Sequence, residues 1–264
     1  MPMVRTSKVR WVVAEDLAGA GARLARHVAA CARRSVRARG SFHLVLAGGE
    51  TPRALHSALV HLPKGAVPWR RTWVYWGDDR LVGPKDPDSN YGMARSTLLS
   101  LVPIPPAQVR RIRGELRPPR AAVADYERTL GPLLLAANRR PAFDLVLLGM
   151  GPDGHTASLF PGSPLLRATR PGVSLVPVSP DPPHRARATL TLPALRSSRE
   201  ICFLIAGASK AAALRAIAAR LPRGSARYPA SLLLGGEGPP VRFYLDREAA
   251  RRLPSDLKVE GRQR

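Results

Sequence analysis

The sequence FDLVLLGMGPDGHT, residues 143–156, joins the pattern of a buried strand to a loop rich in glycine. Its first part, from Phe143 to Leu148, is almost entirely apolar and stands between Pro141 and Gly149. Strands that are buried on both faces are continuous apolar runs, whereas half-exposed strands alternate apolar and polar residues. This run therefore predicts a central strand of a parallel sheet, with the glycine-rich loop at its carboxyl end.

Similar apolar runs alternate with helical patterns along the whole chain. Strands are predicted over 9–13, 42–46, 72–76, 143–148, 188–192, 201–206 and 241–245, and helices over 15–39, 53–61, 90–99, 120–137 and 210–220. This alternation predicts an α/β fold with a doubly wound, mostly parallel sheet flanked by helices, which is Rossmann-like. No repeat or long linker divides the chain, so we expect one domain over 1–252 and a mobile basic tail over 253–264.

The charge balance is strongly positive. The 264 residues include 42 Lys and Arg against 19 Asp and Glu, which gives a formal net charge of +23. Only five of the basic residues are Lys, and the Arg are scattered through every segment without interleaved aromatic residues. Nucleic-acid binding needs clustered cations or stacking platforms, so we expect no specific nucleic-acid partner. The same field can steer a small anionic substrate.

Cysteine usage and hydropathy limit the class of protein further. Cys31 and Cys202 are the two cysteines. They exclude a disulfide framework, fit a reducing compartment and lead us to expect no cysteine-based zinc site. The longest apolar runs are far shorter than the roughly 20 residues of a membrane-spanning helix. We therefore expect a cytoplasmic protein with no membrane partner, no metal and no cofactor.

The first glycine-rich loop follows strand 42–46. Gly48 and Gly49 allow close approach of the backbone to a ligand, Thr51 is a natural N-cap, and Pro52 fits a first helical turn. Such a junction between strand and helix directs amide groups at an anion. An ordinary tight turn has the same composition, and the Gly-Lys-Ser/Thr ending of a nucleotide P-loop is absent.

Two other predicted strands are followed by charged residues. Asp78, Asp79 and Arg80 come after strand 72–76, where they could orient one another or form an ordinary surface salt bridge. Lys210 ends the sequence Gly-Ala-Ser-Lys after strand 201–206. Because Arg is the usual cation of this chain, Lys at this position favours a phosphate contact over a solvated helix residue.

The loop at 149–156 favours acid–base chemistry. Its G-x-G-x-x-G spacing is that of dinucleotide-binding loops, but Pro152 lacks an amide proton and no acidic residue ends a following strand. Asp153 precedes His155 by two residues, so its carboxylate can orient the ring and stabilise imidazolium. Together, these loops indicate a metal-free enzyme that acts on a phosphorylated small molecule.

Six motifs occur in one order. They are Ala-Gly-Gly-Glu-Thr-Pro (47–52), Trp-Gly-Asp-Asp-Arg (76–80), Ser-Asn-Tyr-Gly (89–92), Gly-Met-Gly-Pro-Asp-Gly-His-Thr-Ala-Ser-Leu-Phe-Pro (149–161), Arg-Ala-Thr-Leu-Thr-Leu-Pro (187–193) and Gly-Ala-Ser-Lys (207–210). With them the chain resembles the 6-phosphogluconolactonases, hydrolases of the oxidative pentose phosphate pathway. The resemblance implies a fold similar to glucosamine-6-phosphate deaminase, a phosphosugar lactone as substrate and no cofactor.

The resemblance also implies residue roles. His155 would be the acid/base and Asp153 would orient it. The substrate-binding residues would be Gly48, Gly49, Thr51, Asp79, Arg80, Gly151, Arg187 and Lys210, with Arg80 and Lys210 binding anionic groups. It leaves open whether the protein is a monomer or a homodimer.

Departures from the family pattern bear on the alternatives. Ala47 and Glu50 replace serines that the lactonases usually carry, and we expect the Glu50 carboxylate to point away from a phosphate. A deaminase-like isomerase is disfavoured, because that family has Asp-Glu-Tyr at 78–80 and a Glu near 160, where this chain has Phe160. A non-catalytic sugar-phosphate sensor is disfavoured by the intact Asp153 and His155.

Overall fold

The main sheet has seven parallel strands. The computed structural model describes residues 8–136, 141–178 and 184–260. The strands are β1 (Val9–Val13), β2 (Phe42–Leu46), β3 (Thr72–Trp76), β5 (Leu145–Leu148), β8 (Ile201–Ile205), β9 (Val241–Leu245) and β10 (Val259–Glu260), in the order β10-β1-β9-β8-β5-β2-β3. The chain thus belongs to the predicted fold class, a mostly parallel sheet flanked by helices.

Helices form the layers beside the sheet. They are α1 (Leu17–Arg39), α2 (Pro52–Val60), α3 (Asn90–Ala94), α4 (Pro119–Leu135), α5 (Leu192–Arg196), α6 (Ala211–Ala218) and α7 (Arg247–Ala250). The longest, α1, starts where the Asp16 carboxylate accepts the Gly19 amide and ends at Gly40 in the left-handed conformation, φ 79°. Its buried face packs against α2 and against β8 and β9.

A second, three-stranded sheet was not predicted. It has the order β4-β7-β6 and is antiparallel, with β4 over Asp78–Arg80, β6 over Val173–Val176 and β7 over Arg187–Leu190. The predicted strand 188–192 therefore exists but belongs to this sheet and not to the parallel one. The three residues of β4 are all charged, so they carry no apolar run from which a strand could be predicted.

Two predicted segments differ in detail. The helix predicted over 90–99 is α-helical to Ala94 and continues as a wider π-helical turn over Arg95–Leu99. Within the predicted tail, β10 pairs with β1 at the edge of the parallel sheet. Mobility of the tail stays a prediction. Residues 261–264 of the tail and position 137 of the predicted fourth helix lie outside the described residues. No helix in the described ranges is both long and apolar enough to cross a membrane.

A buried tyrosine fixes the end of β3. The Tyr126 hydroxyl, fully buried on α4, accepts from the Trp76 amide at 2.8 Å and donates to the Trp76 carbonyl at 3.0 Å. Burial raises the pKa of Tyr126, so the hydroxyl keeps the proton that it donates. Because only Gly77 separates Trp76 from β4, this contact also constrains where β4 begins.

We expect Tyr126→Phe to lower the free energy of unfolding by about 1–3 kcal/mol, because it leaves two buried backbone groups without their partner. Urea denaturation followed by circular dichroism measures the change. The control is Tyr228→Phe, which removes a hydroxyl that makes no hydrogen bond within the described chain. Equal stability of the two variants would contradict the role given to Tyr126.

Candidate active site

The predicted loops meet at one edge of the parallel sheet. β2 and β5 are neighbours in the sheet. The next strand of this sheet after β2 is β3, which pairs with the outer side of β2, and the next after β5 is β8, which pairs with the outer side of β5. Crevices at the carboxyl ends of strands that diverge in this way are the usual ligand sites of open α/β sheets. A cavity of about 250 Å³ opens at this point, lined by residues after β2, β3 and β5 and by Lys210 after β8.

His155 lies in the wall of this cavity with its ring oriented by Asp153. The Nδ1 atom is 2.7 Å from Asp153 Oδ1, and the same oxygen accepts the His155 amide at 3.1 Å. An ionised carboxylate can only accept, so Nδ1 carries the proton and Nε2 is left with a lone pair. The Phe160 ring packs beside the imidazole, with centroids 4.6 Å apart. This arrangement suits a general base that acts through Nε2.

Gly151 provides the space for the His155 ring. A Cβ atom at Gly151 would lie 2.2 Å from the Nδ1 and Cε1 atoms of that ring. The Gly151 amide also donates to the His155 carbonyl at 2.9 Å, which closes the loop. Gly151 thus lines the cavity, as predicted, but its requirement for glycine comes from the imidazole.

Two arginines face each other across the small sheet. Arg80 on β4 and Arg187 on β7 are directly opposed residues, and both line the cavity. Opposed residues of an antiparallel pair project from the same face, so the two side chains reach the same wall of the cavity. Arg187 is 2% exposed, and its guanidinium lies 5.7 Å from the Phe160 ring. The second sheet therefore brings two guanidinium groups to the same part of the cavity.

Lys210 adds a third cation to the cavity. It ends a short 3₁₀ turn, Ala208–Lys210, that precedes α6. The turn begins at Gly207, whose φ of 90° favours glycine and whose amide donates to both oxygens of the Asp246 carboxylate at 3.0 and 3.1 Å. Asp246 itself caps α7. The predicted phosphate contact by Lys210 is compatible with this position.

The loop after β2 lines the cavity, but for different reasons than its composition suggested. A Cβ at Gly48 would fall 2.0 Å from the Asn90 side chain, so Asn90 occupies the space that we assigned to a ligand. Gly49 has φ 89°. The N-cap prediction for Thr51 is wrong, because its backbone is helical and its side chain makes no capping bond, although it does line the cavity. The exposed Glu50 carboxylate pairs with Arg53 at 2.7 Å.

Asp79 is placed away from the cavity. It is 1% exposed, and its carboxylate accepts the backbone amides of Asn90, Tyr91 and its own neighbour Arg80 at 2.7–3.0 Å. Burial raises the pKa of Asp79 to about 7, although these amides lower it. Its carboxylate therefore positions the start of α3 and, through Asn90, the wall of the cavity.

Asp78 and Asn90 are lining residues that we did not predict. The Asp78 carboxylate accepts from the Ser158 hydroxyl at 2.6 Å, and its carbonyl accepts from Asn90 Nδ2 at 2.9 Å. Both residues are buried and both belong to motifs that the sequence displays, Trp-Gly-Asp-Asp-Arg and Ser-Asn-Tyr-Gly. The alternation along β4 could have identified Asp78, because Asp78 and Arg80 share a face that Asp79 does not.

A pocket with three cations, an oriented histidine and Rossmann-like surroundings defines a class of enzymes that act on phosphorylated sugars. The family model for glucosamine-6-phosphate isomerases/6-phosphogluconolactonase matches residues 15–240. The chain belongs to this family. The 6-phosphogluconolactonase of Synechocystis sp. is 40% identical over 69% of this chain and 73% of its own length. That of Mycobacterium bovis is 38% identical over 90% of this chain and 94% of its own.

Solved structures agree with this assignment. The 6-phosphogluconolactonase of Trypanosoma brucei is 28% identical, with a TM-score of 0.75, over 93% of this chain and 99% of its own. A monomeric glucosamine-6-phosphate deaminase shares the fold, with a TM-score of 0.75 and 22% identity over 92% of this chain and 99% of its own. The fold alone therefore does not separate the two activities of the family.

We expect Lys210→Ala to weaken binding of 6-phosphogluconate, a sugar acid that carries a phosphate. A hydrogen bond to a charged group is worth about 1.5–3 kcal/mol, so the dissociation constant should rise roughly 10- to 150-fold. Isothermal titration calorimetry measures the constant. Lys64→Ala is the matched control, because Lys64 is exposed and lies outside the cavity. Unchanged affinity in Lys210→Ala would exclude a contact between Lys210 and the phosphate.

Proposed function

We propose that this protein hydrolyses 6-phospho-D-glucono-1,5-lactone to 6-phospho-D-gluconate. The observation that carries the proposal is that the oriented His155 shares one cavity with Arg80, Arg187 and Lys210. A lactonase of this kind needs a base that deprotonates water beside the lactone carbonyl. It also needs cations that bind the phosphate at the other end of the substrate. The names of the relatives support the same activity.

The proposed reaction uses His155 twice. Neutral Nε2 takes a proton from water while the water oxygen bonds to the lactone carbonyl carbon, whose oxygen becomes an oxyanion. The oxyanion then re-forms the carbonyl and the bond from carbon to ring oxygen breaks. Imidazolium returns the proton to that ring oxygen, which becomes a hydroxyl. Asp153 holds the ring by Nδ1 throughout and stabilises the imidazolium.

The cations hold the other end of the substrate. We assign the phosphate to Arg80, Arg187 and Lys210, because all three line the cavity and cationic side chains bind phosphate oxygens through charge-assisted hydrogen bonds. Anchoring a remote group in this way uses its binding energy to place the carbonyl beside the base. Gly48, Gly49, Thr51 and Gly151 complete the wall on the side of the sugar. Asp79 acts indirectly, by positioning Asn90.

The residue at position 160 favours hydrolysis over the isomerase activity. Where the deaminase pattern places a carboxylate, this chain has Phe160, which is 5% exposed and packs between the His155 ring and the Arg187 guanidinium. An apolar ring there cannot join the proton relay that opens an amino sugar. Assays with the lactone and with glucosamine 6-phosphate distinguish the two activities, and a sensor would catalyse neither reaction.

The biological setting follows from the same proposal. The product would enter the oxidative pentose phosphate pathway, and we propose that the reaction takes place in the cytoplasm without a metal or cofactor. The enzyme would act as a monomer or homodimer and as one domain over 1–252. The cysteine usage favours the reducing compartment.

We expect His155→Ala to lower kcat by about 10²- to 10⁴-fold, the range that general acid–base groups contribute. Lactone hydrolysis, corrected for the spontaneous reaction, measures the loss. His61→Ala serves as control, because His61 is exposed just after the last residue of α2 and does not line the cavity. The second arm is Gly151→Ala, which keeps the imidazole but displaces it from Asp153. Near-normal kcat in His155→Ala would remove this residue from the mechanism.

We also expect kcat/KM to fall with added salt while kcat hardly changes. The excess of exposed Arg attracts a phosphorylated substrate over distances of about 8–10 Å at physiological ionic strength, and this affects encounter more than chemistry. Kinetics and binding of a fluorescent oligonucleotide are measured across one salt series. Tight, sequence-selective oligonucleotide binding at physiological salt, together with no hydrolysis, would favour a nucleic-acid partner instead.

A further inference from the structure

Two cysteines, a histidine and a glutamate form a cluster at the edge of the parallel sheet opposite the cavity. Cys31 is on α1, one helical turn after His27, and Cys202 is on β8, two residues after Glu200. Because Glu200 precedes β8, this cluster lies at the amino ends of the parallel strands, whereas the cavity lies at their carboxyl ends. The mechanism proposed above uses none of the four residues.

His27, Glu200 and Cys202 bring their ligand atoms close enough together to hold one metal ion, and Cys31 borders two of them. His27 Nε2 is 3.0 Å from Glu200 Oε2. Cys31 Sγ is 3.4 Å from His27 Nε2 and 3.7 Å from Glu200 Oε2. The ligand atoms of His27, Glu200 and Cys202 lie within 4.8 Å of one another. In a tetrahedral zinc site with bonds of about 2.0–2.3 Å, neighbouring ligand atoms are roughly 3.3–3.8 Å apart.

Outer contacts orient the same atoms. Arg242 Nε donates to Oε1 of Glu200, which leaves Oε2 directed at His27 and Cys31. Arg34 Nη2 lies 3.3 Å from Cys31 Sγ, where it would stabilise a thiolate. Hydrogen bonds of this kind hold metal ligands in place, and the two guanidinium groups offset the negative charge of a ligand set with two thiolates and a carboxylate.

We propose that His27, Cys31, Glu200 and Cys202 bind one soft divalent transition-metal ion, with Zn²⁺ as the probe. Each thiol loses its proton to solvent as the bond from sulfur to metal forms, while imidazole Nε2 and one carboxylate oxygen bind through lone pairs. The side chains of His27 and Glu200 are 16% and 10% exposed, which gives the ion a route from solvent. The ion would fasten α1 to the start of β8.

This proposal replaces the expectation that the chain has no cysteine-based zinc site. That expectation relied on the presence of only two cysteines, which are 171 positions apart in the sequence. The pair His27 and Cys31 is separated by four residues on a helix, which places both side chains on one face, but only the fold supplies the second pair.

The test starts with the full chain, stripped of metal by a chelator. Titration with Zn²⁺ against a chromophoric chelator should give one ion per chain. Titration with Co²⁺ should give an absorption band for charge transfer from thiolate to cobalt, which a site of histidine and carboxylate alone lacks. Absence of that band, or no Zn²⁺ bound in competition with the chelator, would overturn the proposal without recourse to any variant.

Variants identify the ligands. Cys31→Ser, Cys202→Ser and His27→Ala should each weaken Zn²⁺ binding by roughly 100-fold or more, since outer partners alone are worth about 10- to 100-fold. His61→Ala, which removes a histidine outside the cluster, should bind as wild type does. Circular dichroism and lactone hydrolysis check that each variant is folded, and His27→Ala, on the partly exposed side of α1, is the least disruptive. Wild-type affinity in both cysteine variants would overturn the proposal.

Discussion

The parallel pairing of β2 with β5 is the constraint on which the site depends. Leu44 lies opposite Leu145 and Val45 opposite Val146, so the two strands end side by side and their loops face each other. Because the chain leaves these strands in opposite directions, neither connection fills the space between the loops. The histidine loop and the glycine loop thereby become two walls of one cavity. Any shift of this register would separate them.

The small sheet adds what the parallel sheet cannot supply. Leu190 of β7 donates its amide to the Gly77 carbonyl at 2.8 Å, and the Gly77 amide donates to the Leu46 carbonyl of β2 at 3.1 Å. Through this link, the register of β4 and β7 brings Arg80 and Arg187 to the cavity. The second sheet thereby places two guanidinium groups in one wall of the cavity, on strands that are distant in the sequence.

Glycine and acidic residues near the site serve mainly to hold functional side chains. Gly48 leaves room for Asn90 and Gly151 leaves room for His155, both at distances where a Cβ atom would overlap. Asp79 uses its buried carboxylate on backbone amides. Substitution at these positions would therefore disturb catalysis through a neighbour, although the residues themselves have no reactive group in the cavity.

The sequence alone determined the parallel sheet and the chemistry at its strand ends. Short segments rich in apolar and β-branched residues located β1, β2, β3 and β9 to the residue, because local hydrophobicity marks strands of a largely buried sheet. The Asp153 and His155 pair was also predictable, because the two residues are near neighbours. Tertiary structure alone decided the second sheet, the burial of Asp79 and the cluster that Cys31 and Cys202 form with His27 and Glu200. These depend on contacts between distant segments, and short polar strands or isolated thiols leave no periodic signal in the sequence.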